Sequence, residues 1–174
     1  MEKSIDRWNW VRDLVQIEER MEESGIIDPA MGFDNDRTLA LETLRFLEQL
    51  KVELVEAAET FNEMKTSPLG RIKIYGIAKT QADFMLFRNG YKMIFSIRQP
   101  GMISIRFNFL GPQQYMNQMQ GAGQSAGTQL MEENLLLAKR GSFSDLIWTY
   151  QDLPIQLTSV VRYHLSLFIR ESSK

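Results

Sequence analysis

The stretch GPQQYMNQMQGAGQSAGTQ, residues 111 to 129, holds six glutamines, two methionines and no charge. Within it, Gly121 to Ala126 matches G-x-G-x-x-A, a pattern that binds dinucleotides when a strand runs directly into the glycine turn and a helix N-terminus receives the pyrophosphate. Here ten residues, 111 to 120, separate the last strand-like residue, Leu110, from Gly121. The segments before it also read as antiparallel strands, so the βαβ context is missing. No lysine follows the glycines, which removes a Walker loop. Met116 and Met119 have the spacing of a thioether pair, but a soft-metal site needs more soft ligands than this stretch supplies. Neither a metal nor a cofactor is expected. The stretch reads as a long connector without fixed structure in the free protein. Its alternative role is a lid or partner-binding segment that contributes Tyr115, Met116 and Met119.

His164 is the only histidine and cysteine is absent, so thiolate nucleophiles, zinc thiolate sites and disulfides are excluded. His164 shares a stripe with Leu157, Val161 and Phe168, the setting of a hydrogen-bonded core histidine. Most carboxylates fall on the outer faces of two N-terminal helical segments. No nucleophile, base and orienting group assemble from the sequence, and the expectation is a protein that is not an enzyme.

Charge gives a stronger signal. Residues 1–66 hold 16 acids against 8 bases, residues 67–110 hold 1 against 7, and residues 111–174 hold 5 of each. In the middle segment, alternation sets Arg71, Lys73, Lys92, Arg98 and Arg106 on one side of a sheet, opposite Ile72, Ile74, Phe95 and Phe107. Such a face suits phosphate, an acidic protein or another anionic ligand. Exposed ion pairs contribute only about 0 to 1 kcal/mol each, so stability alone gives little reason for so complete a separation. Sheet readers of RNA stack bases on aromatics of the exposed face. Phe95, Phe107 and Phe109 point to the core in this reading, and nucleic acid is not the expected partner.

The elements that position these residues follow from periodicity. Trp10, Leu14, Ile17 and Met21, widened by Trp8, Val11 and Val15, mark an amphipathic helix over residues 4–23. Asp34, Asn35 and Asp36 offer N-cap acceptors for a second helix to about residue 65. Its seam, Ala40, Leu47, Leu54 and Phe61 interleaved with Leu50, Ala57 and Met64, repeats every seven residues. At about 1.5 Å per residue this helix is roughly 45 Å long, against about 40 Å for the width of a 174-residue globule. An antiparallel hairpin with the first helix, or self-association, would cover the seam. From residue 71 the period becomes 2: RIKIYGIA, DFMLF, YKMIFSIR and MISIRFNFL are separated by short turn signals and predict an antiparallel meander. TQLMEENLLLAKRG, 128–141, reads as a helix, with early acids, late bases and Gly141 as its cap, while NLLLAKR keeps a strand as the alternative. Residues 145–151 are ambiguous, and Pro154 suits the first position of a last helix.

With 44% hydrophobic and 24% charged residues the composition is that of a globular protein. A chain of this size buries roughly 70% of its unfolded surface. The expected fold is α+β in a single domain: a helical hairpin (1–66), a meander of four or more strands (67–110), a flexible loop (111–127) and a mainly helical C-terminal part (128–174) closing one face of the sheet. No apolar stretch reads as a membrane span or secretory signal, which fits a cytoplasmic location. The expected function is a self-associating interaction or regulatory module that binds an acidic protein partner or other anionic ligand through the basic face. The alternative is a binder of an apolar small molecule, in a pocket between sheet and C-terminal helix lined by Met85, Phe95, Phe107 and Phe168 under the glutamine-rich loop.

Overall fold

A computed structural model describes residues 6–29, 34–109 and 132–173. The architecture is α+β: two N-terminal helices, a seven-stranded antiparallel sheet and a C-terminal helix on the sheet. Contacts divide the chain into two units, residues 1–39 and 40–174.

In the first unit, α1 (Asn9–Ser24) follows a short 3-10 turn, Asp6–Trp8, and ends at Gly25. Gly25 takes the left-handed conformation at φ 66° while its N–H closes on the Met21 carbonyl, the stop that glycine makes cheaply. α1 has no buried residue: Trp8, Trp10, Val11 and Val15 are exposed, and Leu14, Ile17 and Met21 are half-buried. The next helix, α2 (Asn35–Met64), begins where predicted, with the Asp34 carboxylate accepting from the Arg37 N–H.

In the second unit, α2 buries Thr43, Leu47, Leu50, Leu54 and Ala58 in one cluster with sheet residues. The seam read from the sequence is therefore covered by the chain's own sheet from Thr43 to Ala58, while Ala40 and Met64 at its ends are exposed. Each of Leu47, Leu50 and Leu54 is fully buried and contributes on the order of 1.5–3 kcal/mol.

The sheet is a simple meander, ordered β1 (Lys73–Gly76), β2 (Phe84–Arg88), β3 (Tyr91–Gln99), β4 (Met102–Phe109), β5 (Glu132–Arg140), β6 (Leu146–Tyr150) and β7 (Leu153–Pro154). The turns explain the registers. Asn89 and Gly90 both have positive φ between β2 and β3, the signature of a two-residue type I′ hairpin. Gln151 and Asp152 make the same kind of turn before β7, without glycine.

Two expectations fail here. Residues 132–140 of the predicted helix 128–141 form strand β5, paired with β4 from Met102↔Leu137 to Phe107↔Glu132 and with β6 from Leu136↔Tyr150 to Arg140↔Leu146; residues 128–131 lie outside the described residues. Charge placement mimicked a helix, but pairing with β4 over its first part and with β6 over its second sends Leu136 and Ala138 inward, so tertiary context overrides propensity. Pro154 sits in β7, and the last helix, α3, starts later and runs Leu157–Glu171. The C-terminal part is therefore half strand, with one helix.

Both α2 and α3 pack on one face of the sheet. Phe46 of α2 stacks on Trp148 at 4.5 Å, and Phe168 of α3 meets Phe107 edge-on at 6.2 Å. Between them Phe84 and Phe95 stack at 4.7 Å, both fully buried. Arg88 closes one end of this inner face. Its Nε donates to the Gly70 carbonyl at 2.6 Å, and one terminal nitrogen donates to the Ile169 carbonyl and to the Ser172 and Ser173 hydroxyls. The guanidinium also lies 5.3 Å over the Phe61 ring. Desolvation lowers its pKa, yet arginine stays charged in proteins and suits the carbonyl-rich end of α3. Replacing Arg88 with Met strands several buried acceptors, a loss of about 3 kcal/mol. Thermal melting should fall by roughly 6–12 °C for a domain of this size, whereas Arg170→Met, at an exposed ion pair, should leave it within about 2 °C.

Candidate functional sites

The outer face of the sheet, opposite both helices, carries the basic residues as alternation predicts. Three cross-strand rows define it. The first is Lys73, Phe87, Lys92 and Asn108. The second is Tyr75, Met85, Ile94, Arg106 and Glu133. The third is Ser96, Ser104 and Leu135. Lys73 and Lys92 are thus separated by one strand, about 10 Å, with Phe87 between them. Arg71 is exposed just before β1, and Arg98 lies at the bulge between Ile97 and Gln99.

One part of the expected cationic face is internally neutralised. Glu133, brought there by β5, pairs with Arg98 at 2.8 Å, accepts a short hydrogen bond from the Ser104 hydroxyl and faces Arg106 across the ladder. The Ser104 hydrogen bond, with the Arg98 guanidinium next, holds the Glu133 carboxyl below the usual carboxylate range. Reading 128–141 as a helix hid this carboxylate, so Arg98 and Arg106 are less available than the sequence suggested. Among the described residues, no carboxylate comes within ion-pair distance of Arg71, Lys73 or Lys92.

Three buried polar atoms on this face, Ser96 Oγ, Arg106 Nε and Asn108 Oδ1, lack a hydrogen-bond partner among the described residues. They follow the β3–β4 pair over about 13 Å, two steps of some 6.7 Å. Native proteins leave few such groups; these three are buried within the β3–β4 pair, Ser96 beside the fully buried Ser104. Sequence reasoning also missed Tyr75 and Phe87, tilted rings 6.5 Å apart on this face. The parity that assigned Lys73 and Lys92 assigns them too. Tyr115, Met116 and Met119 lie outside the described residues.

A second site lies on the inner face, between β5, β6 and the start of α3. A cavity of about 300 Å³ is lined by Asn134, Leu136, Tyr150, Ile155, Ser159, Val160, Tyr163 and His164. The lining set expected from sequence is elsewhere: Phe95 and Phe168 are fully buried in the core, Phe107 packs on Phe168, and Met85 lies on the outer face. A relay of hydrogen bonds crosses the cavity wall. Gln151 donates to the Tyr150 hydroxyl (3.3 Å), which donates to Asn134 Oδ1 (3.0 Å), whose amide donates to His164 Nε2 (3.2 Å). His164 Nδ1 then donates to the Val160 carbonyl at 2.8 Å. The acceptor at one ring nitrogen and donor at the other describe a neutral imidazole, as expected for a core histidine.

Among the described residues no group of three acidic, histidine or cysteine side chains is placed to hold a metal, and no helix is long and apolar enough to cross a membrane. Comparison with protein-family models, curated proteins and solved structures finds no match.

Burial lowers the His164 pKa below 6.5, partly offset by the Val160 carbonyl. The folded form therefore resists protonation more than the unfolded chain, and stability falls as pH drops below about 6.5 until the folded pKa is passed. The slope is at most about 1.4 kcal/mol per pH unit. Denaturant melts at pH 7.5, 6.5 and 5.5 should show this decline, and His164→Gln should flatten it while lowering stability throughout.

Proposed function

We propose that this protein is a non-enzymatic interaction module whose outer sheet face docks an acidic, partly apolar segment of a protein partner. The observation that carries the reading is the cross-strand row Lys73, Phe87 and Lys92, whose two cations have no carboxylate within ion-pair distance among the described residues. Lys73 and Lys92 supply the charge, while Phe87, Tyr75, Met85 and Ile94 supply apolar contact between the charged rows. A bare inorganic anion would use the first and waste the second. An acidic segment with interspersed apolar side chains uses both, its carboxylates at Lys73 and Lys92 and its apolar side chains on Phe87, Tyr75, Met85 and Ile94.

Self-association forms a second part of the proposal. The occupant of the α1 stripe is α1 of a second copy, since the exposed Trp10 and the half-buried Leu14, Ile17 and Met21 recur at the four–three spacing of a two-helix seam. Sixteen residues give about 24 Å of helix, so the association is weak and concentration-dependent. Light scattering over rising concentration should approach twice the monomer mass, and Leu14→Glu should hold it at one. A single monomer mass throughout the native series removes this part.

Binding of a labelled peptide of alternating Glu and Leu, followed by fluorescence anisotropy, tests the docking face. The double change Lys73→Glu, Lys92→Glu should weaken it at least tenfold, about 1.4 kcal/mol, and flatten its salt dependence. Glu133→Gln should tighten it several-fold by freeing Arg98 and Arg106. Equal affinity in all three proteins rules the face out, and binding of single-stranded RNA in place of the peptide overturns the choice of partner.

A further inference from the structure

The cavity beneath β5 and β6 opens beside a second hollow along α3. This hollow has about 490 Å³ and is lined by Ser159, Arg162, Tyr163, Ser166, Leu167 and Arg170. Ser159 and Tyr163 belong to both linings, so the two spaces adjoin across the first turns of the helix. Their chemistry differs. The inner cavity has an aliphatic body formed by Leu136, Ile155 and Val160, with Tyr150 and Tyr163 rings at its sides. At about 300 Å³ it falls at the small end of ligand pockets.

Polar capacity remains at the inner wall after the relay is counted. Asn134 uses one amide hydrogen on His164 and one lone pair on the Tyr150 hydroxyl, leaving a second donor and a second lone pair. The Ser159 side chain has no hydrogen-bond partner among the described residues. In the outer hollow, Arg170 pairs with Glu171 at 3.1 Å, whereas Arg162 has no carboxylate partner among the described residues.

We infer that this paired hollow binds a small amphipathic carboxylate of the acyl-chain type, with its apolar body against Leu136, Ile155 and Val160 and its carboxylate at Ser159 and Arg162. The shape follows from the order of surfaces: apolar within, a hydroxyl at the junction, a guanidinium outside. A neutral apolar molecule leaves Arg162 unused. A compact anion leaves the aliphatic cavity empty. The site lies on the face opposite the proposed docking surface, so the two proposals stand or fall separately.

His164 gives the experiment its readout. It lines the cavity and is the only histidine of the chain, so its ring nitrogen resonances report occupancy without assignment ambiguity. The full-length protein is titrated with octanoate and, separately, octanol, by ring ¹⁵N spectroscopy and calorimetry. Octanoate should shift the His164 signals saturably and bind at least tenfold more tightly than octanol. Arg162→Glu should weaken octanoate at least tenfold and bring it level with octanol. Ser159→Phe, which fills the junction, should abolish both the shift and the heat. Both replaced side chains are exposed, and thermal melts confirm that the variants are folded; if Ser159→Phe is not, the octanoate-to-octanol ratio in Arg162→Glu decides. The inference is overturned if octanoate leaves the His164 signals unmoved, if Arg162→Glu keeps the preference for octanoate, or if a folded Ser159→Phe binds as the native chain does. Weakening by Lys73→Glu, Lys92→Glu to the same degree also overturns it, since octanoate would then be held on the outer face.

Discussion

Alternation of side chains along β3 and β4 is the constraint on which the rest of the molecule depends. In these two strands Met93, Phe95, Ile103 and Ile105 turn inward while Lys92, Ser96, Ser104 and Arg106 turn outward. Because the period of a strand is two, a slip of one residue would exchange the faces entirely. The turns at Asn89–Gly90 and around Gly101 hold that register. With it held, α2 and α3 cover the face carrying Phe84, Phe95 and Ile105, and their own apolar positions meet it.

The two faces then diverge in character. Inside, polar groups are few and answered: the Thr43 hydroxyl accepts from the Gly101 N–H, Asn62 brackets the Ile72 backbone, and the relay from Gln151 to Val160 ends on a carbonyl. Networks of this sort fix how a helix seats on a sheet, because every alternative seating leaves a buried group unanswered. Outside, the balance is incomplete. Glu133 answers two arginines, yet Lys73 and Lys92 have no carboxylate within ion-pair distance among the described residues. The contrast between a settled interior and an unsettled exterior is what makes the outer face the better place to look for function.

Much of this fold was legible because its signals are local. The Asp34 cap, the α2 seam and the first four strands each follow from neighbours within a few residues. β5 was legible only as the alternative to a helix: Glu132, Glu133, Lys139 and Arg140 sit where a helix would want them, and the three leucines at 135–137 serve either period. Pairing with β4 and β6 decided the matter, and that information is distant in sequence. A helical 133 would turn Glu133 away from Arg106, which it faces across the β4–β5 ladder. Tyr75 and Phe87 follow from the same parity that places Lys73 on the outer face. The cavity was unreadable in principle, as residues 134, 150 and 164 meet only through the fold.

The margins of the sheet set a limit on how copies of this chain can meet. β1 is four residues long and ends in Gly76, and β7 is a two-residue strand whose Pro154 has no N–H to offer. Exposed strand margins are templates for runaway pairing, and short or proline-bearing strands are the usual protection. Lateral growth into fibres is therefore disfavoured at both borders, and concentrated chains are left to meet through their broad surfaces.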